Sequence, residues 1–125
     1  MKLYEIVEIY NDINVGFKSE EKEILPLLNS NLKISVKGKL HKVSAELKPY
    51  VDEFEKSKME VFKSLGDEKE GQITVPKEKI VELNTKLNDL ANEEIDVDLT
   101  SFKFKEEELD LSTELTLVSF CKYLL

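Results

Sequence analysis

Apolar residues recur every three or four positions along most of this chain, and the stretches where they do so predict four helices. Leu3, Ile6, Tyr10 and Ile13 form one stripe, widened by Val7 and Ile9, over a short helix from Leu3 to Val15 that stops near Gly16. A charged linker, Lys18 to Glu23, and the apolar run Ile24-Leu25-Pro26-Leu27-Leu28 follow. Asn29, Ser30 and Asn31 then offer N-caps for a second helix, because such side chains accept the unpaired N–H groups of a first turn.

That second helix is the strongest element of the pattern. Leu32, Val36, Leu40, Val43, Leu47, Val51, Phe54, Val61 and Leu65 hold one face, interrupted only around Ser57 and Lys58. Unbroken from Leu32 to Leu65 it spans roughly 50 Å at ~1.5 Å per residue. A compact chain of this length has a diameter of only roughly 36 Å. Either the helix bends at Pro49 or the molecule is elongated, and Gly38 is a second weak point.

Gly66-Asp67 ends the helix, Glu68 to Gly71 reads as a polar turn, and Gln72-Ile73-Thr74-Val75 as a short strand. Pro76 suits the first turn of a third helix carrying Ile80, Leu83, Leu87 and Leu90 on one face, with Asn92 near its end. Ile95 to Leu99 then alternates strictly, and after Thr100-Ser101 the parity flips through Phe102 to Lys105. A hairpin explains the flip: Leu99 opposite Phe102 and Val97 opposite Phe104 on the buried face, Asp98 opposite Lys103 and Asp96 opposite Lys105 on the wet face. Thr100-Ser101 is poor chemistry for a two-residue turn, which leaves a bulged continuous strand as the other reading. Leu109 and Leu111 suggest a last strand. Ser112 or Thr113 caps a terminal helix whose Leu117, Val118, Cys121 and Leu124 face inward. The expectation is an α+β fold dominated by helix, a single domain over 1–125, with one long amphipathic helix, shorter helices and a small antiparallel sheet or hairpin.

Composition narrows the function classes. The 18 cations are all lysine, against 26 acids, giving a net charge of -8. Residues 1–64 carry eleven lysines and eleven acids, residues 65–125 seven and fifteen, so the excess lies in the second half. Outnumbered cations and missing arginine argue against nucleic acid as a direct ligand. Met1 to Glu8 places carboxylates where a signal peptide needs an unbroken apolar run, and no stretch approaches membrane-spanning length. Cys121 is the sole cysteine, which excludes an intrachain disulfide.

Catalytic chemistry is not spelled out. His41, between lysines and off the apolar stripe, reads as a surface residue, and Cys121 as a small core residue. Asp96, Asp98, Thr100 and Glu107 match positions of a calcium loop. Ser101 replaces its glycine, however, and the flanks read as strand. No metal, cofactor or catalytic residue is assigned. Two charged surfaces remain: a basic one of Lys33, Lys37, Lys39, Lys42 and Lys48, and an acidic one of Glu93, Glu94, Asp96, Asp98, Glu106, Glu107, Glu108 and Asp110. Either the acidic run is simply solvated, or it docks on a basic partner, where electrostatics speeds association and excludes wrong partners.

The order of segments also resembles a family of small bacteriophage and prophage proteins of unknown function, mainly from Gram-positive hosts. The likeness rests on Ile24-Leu25-Pro26 before a lysine-rich helix, Glu46-Leu47 with Tyr50, and Gly71-Gln72-Ile73-Thr74-Val75. Glu82-Leu83-Asn84, Leu87, Glu93-Glu94-Ile95-Asp96-Val97 and the apolar terminal helix continue it. The resemblance implies a viral origin and carries no site residues. The expectation is therefore a non-catalytic phage accessory protein of the host cytoplasm that binds a host or viral protein, inhibiting a host enzyme or defence component through its acidic C-terminal surface. The alternative is an assembly protein that forms homo-oligomers through its long helix.

Overall fold

A computed structural model describes residues 1–21, 23–109 and 117–125, and of Ile24 the backbone alone. The first helix, α1 (Leu3–Asn14), buries Leu3, Ile6, Ile9 and Ile13 almost completely. It stops because Gly16 takes a positive φ of 73°, which lets both Val15 and Gly16 donate to the carbonyl of Asn11 at 2.8 Å. The charged linker is not unstructured: Phe17–Lys18 (β1) pairs antiparallel with Glu23–Ile24 (β2).

The expected caps at Asn29 to Asn31 do not cap the long helix. Leu27–Asn29 forms a 3₁₀ turn after Pro26, and Ser30 is extended, so helix starts only at Ile34 with Lys33 in the cap position. From there α2 (Ile34–Leu65) continues for 32 residues through Pro49, about 48 Å of helix. Its two halves differ. Val36, Leu40, Val43, Leu47 and Val51 are buried in the main core with α1, whereas Phe54, Val61 and Phe62 are only half-buried before Leu65 closes the helix.

The distal half of α2 is covered by the segment that returns along it. The polar turn expected after Gly66 contains a strand: β3 (Asp67–Lys69) pairs with β4 (Gln72–Thr74) through Glu70-Gly71, whose φ values of 52° and 79° are those of a tight primed turn. After a 3₁₀ turn at Lys77–Lys79, α3 (Ile80–Ala91) packs on α2 with Leu83 buried and Leu87 and Leu90 half-buried.

The hairpin expected over 95–105 does not form. The carboxylate of Asp98 accepts both the N–H of Thr100 (2.9 Å) and its hydroxyl (2.7 Å), which turns the chain into a 3₁₀ segment at Thr100–Phe102 instead of a primed turn. The inward parity nonetheless holds, since Leu99 and Phe104 are buried and Val97 and Phe102 pack on the core. What pairs with the segment is different. Leu3 and Glu93, and Ile95 and Met1, join by backbone hydrogen bonds of 2.9 and 2.8 Å, and the N–H of Phe104 reaches the carbonyl of Leu124 at 2.7 Å. A four-residue helix, α4 (Glu106–Leu109), replaces the strand expected at Leu109. Leu111, Ser112 and Thr113 lie outside the described residues.

The last helix, α5 (Val118–Leu124), lies on α1 with Phe120 and Leu124 fully buried and the Phe120 ring 5.6 Å from that of Phe104. Val118 points outward, 71 % exposed, because it sits about 200° round the helix from Phe120. Among the described residues no helix is long and apolar enough to cross a membrane. The result is an α+β fold dominated by helix, with one long helix and two small antiparallel ribbons.

Candidate functional site

Beside its apolar stripe, α1 carries a second one: Glu5, Glu8 and Asp12, at spacings of three and four. These side chains line a groove with Ser119 and Lys122 of α5, whose Phe120 and Leu124 are anchored in the core. Between the two helices lies a groove of about 450 Å³, with Tyr4 and the exposed Val118 at its edges.

Each carboxylate sits in a different setting. Glu5 is 5 % exposed, and its oxygens accept the backbone N–H of Lys2 (2.9 Å), the Tyr123 hydroxyl (2.8 Å) and the Lys122 ammonium (3.1 Å). Burial alone would raise its pKa, but these bonds outweigh it and hold the carboxyl below the ordinary range. Glu8 accepts a short 2.5 Å bond from the hydroxyl of Ser119, itself 4 % exposed. Asp12 is the exception. Burial, and then the charge of Glu8, push its carboxyl to about 6, and it has no hydrogen-bond or ion-pair partner among the described residues.

Among the described residues the groove therefore holds three acids against one cation, and that cation is bound to Glu5. Among the described residues no group of three or more His, Cys, Asp or Glu is gathered closely enough to hold a metal ion. Glu8 and Asp12 lie about 6 Å apart along the helix axis, on successive turns. A compact ammonium with three donors can bond both carboxylates at once. Nearby Cys121 is half-buried, and burial followed by the charges of Glu106 and Asp12 raises its pKa, which keeps the thiol protonated and unreactive. His41 is exposed on α2, as its neighbours in sequence implied.

The acids singled out by the sequence fall into two groups. Glu107 and Glu108 border a cavity with Lys33, Ser35 and Val36 at the start of α2, while Glu93 borders one with Tyr50 and Phe54. Along α2 these places are about 20 Å apart or more. Glu94 bridges to Lys2 through its backbone and pairs its carboxylate with the amino group of Met1 at 3.5 Å, Asp96 and Glu106 are exposed, and Asp98 is engaged with Thr100, which lowers its pKa. Glu108 accepts the N–H of Lys105 at 2.8 Å and so caps α4; Asp110 lies outside the described residues. The α1 stripe was missed because counting charge by halves hides it, yet its three-and-four spacing was there to be read. Compared with known proteins, the chain matches no family model, no curated protein and no solved structure.

Proposed function

We propose that the protein is a bacteriophage accessory protein that acts in the host cytoplasm by binding another protein, gripping a lysine of that partner in the groove between α1 and α5. The observation that carries this reading is Asp12, a half-buried carboxyl beside a second carboxyl and, among the described residues, without a cation. Such a group is electrostatically unfavourable in the free protein, and an incoming ammonium relieves it while bonding Glu8 as well. Tyr4, 39 % exposed, and Val118 offer apolar cover for the lysine stem. The acids at Glu93 to Asp98 and Glu106 to Glu108 then act at a distance, drawing a basic partner in and raising the association rate. A host enzyme or defence component blocked by such binding fits an accessory role, and no catalytic step is assigned to the chain.

Affinity purification from infected host cells tests the reading. A basic partner recovered with the natural protein should be lost with Glu8→Gln/Asp12→Asn, since removing one side of a hydrogen-bonded charge pair costs about 2–5 kcal/mol. Undiminished recovery would overturn it. Capture should also strengthen as pH rises through about 6, where Asp12 ionises.

One observation favours a second reading, assembly through the long helix. The distal half of α2 and α3 leave Met59 50 % and Val81 77 % exposed, on the part of the molecule furthest along α2 from the core. Self-association there predicts a dimer or larger species by sedimentation velocity at micromolar concentration, dispersed by Met59→Lys/Val81→Lys. A monomer at that concentration removes this reading.

A further inference from the structure

Among the described residues, the main core takes no apolar side chain from positions 55–94. Of those positions only Leu65 and Leu83 are buried, at 7 % and 8 % exposure, while Val61, Phe62, Ile73, Val75 and Leu87 are half-buried and Ile80 and Val81 exposed. Ile6, Ile9, Leu40 and Leu47 of the core are by contrast wholly enclosed. Since stabilisation follows the apolar area removed from water, the returning segment is held on α2 more weakly than the core holds itself. The seam between the two is also incompletely filled: a depression of about 240 Å³ is lined by Leu90 of α3 together with Leu3, Tyr50 and Phe54. We infer that residues 67–92 form a lid that opens from α2 as one unit while α1, the first half of α2 and α5 stay folded. Opening uncovers an apolar stripe of Val61, Phe62 and Leu65. The inference goes beyond the grip on a lysine and stands without it.

Neither part of the lid is stable by itself. α3 has 12 residues, short for an isolated helix in water, and β3 and β4 pair over only three residues each. Each keeps its structure only against α2, so the parts are lost together. The lid is bounded at both ends. At one end the hinge is Gly66, where α2 passes into extended backbone. Beyond Asn92, the N–H of Leu3 bonds the carbonyl of Glu93 at 2.9 Å, the N–H of Ile95 bonds that of Met1 at 2.8 Å, and Ile95 and Val97 pack on the core. Opening stops there.

Amide hydrogen exchange of the full chain, followed residue by residue by NMR, tests the inference. Corrected for intrinsic rates, amides of α3 and β4 should exchange at least about tenfold faster than those of Ile6, Ile9 and Ile13. Gly38→Ala gives the decisive comparison. Gly38 lies in the half of α2 that stays folded, with nothing within 4 Å of where a Cβ would stand, so its replacement stabilises the chain against global unfolding and acts equally with the lid open or closed. It should slow exchange at Ile9 and Ile13 by about two- to fivefold and leave α3 and β4 unchanged. Leu83→Asp, which puts a charge where the lid is seated, should strip protection from α3 and β4 while α1 and α5 keep theirs. Lid amides as slow as those of α1 in the natural protein, or slowed equally by Gly38→Ala, overturn the inference. Loss of protection in α1 together with α3 in Leu83→Asp overturns it as well.

Discussion

On the proposed reading, Asp12 links stability to binding. Its folded pKa of about 6 lies above the ordinary value of 3.8, so the folded protein binds the extra proton between those values. The stability this group contributes is complete below about pH 4 and is lost as pH rises through about 6. Asp12→Asn keeps the shape of the neutral acid and removes the titration. Compared with the natural protein by urea unfolding, it should be more stable at pH 7.5 and gain nothing at pH 4. A gain equal at both pH values would contradict burial and the charge of Glu8 as the source of the effect. Glu5 acts in the opposite direction and is common to both proteins, so the difference isolates Asp12. The spacing of these carboxyls was legible in the sequence, but their separate settings were not. The apolar stripe of α1 could be read from spacing alone, but Glu5 is held charged first by the N–H of Lys2 and then by Tyr123 and Lys122, which lie 118 and 117 positions away. Spacing along one helix cannot report a partner delivered by another.

At the scale of elements, a glycine within α2 and the glycine that caps it make opposite predictions. Gly38 lies inside the helix with nothing within 4 Å of where a Cβ would stand, so Gly38→Ala should stabilise the protein by about 0.5–1 kcal/mol through helix propensity. Gly66 ends the helix where a Cβ would stand 2.6 Å from Cγ2 of Ile73 and 2.9 Å from the carbonyl oxygen of Phe62. Gly66→Ala should therefore destabilise, by about 1–3 kcal/mol, as β3 and β4 are forced off the end of α2. Chemical unfolding of the two variants side by side checks both signs. The helices and the glycine stop at residue 66 were plain in the sequence because periodicity and a helix-ending residue are local. The segment 95–105 was read correctly for which side chains face inward and wrongly for what it pairs with. Alternation reports a buried face, not a neighbour, and the side-chain bonds of Asp98 to Thr100 decided the turn.

At the scale of the whole molecule, the distribution of charge drew attention to the second half, which holds the excess acid. The structure separates those acids along α2 and brings together others from the first half, whose lysines and acids balance. Net charge governs long-range attraction, whereas a grip on one side chain needs carboxylates that converge and lack a cation of their own. Carbodiimide coupling discriminates these directly, since it joins a carboxylate to a lysine amine only where the two touch. Lys2 and Lys18 bracket Glu5, Glu8 and Asp12 in one tryptic peptide that holds no other side-chain carboxylate. After coupling in lysate of infected host cells, mass spectrometry should find this peptide joined through Glu8 or Asp12 to a lysine of a second protein. Coupling to a second protein only through Glu106, Glu107 or Glu108, with the 3–18 peptide joined to nothing but Lys122 of its own chain, would contradict the groove as the binding site.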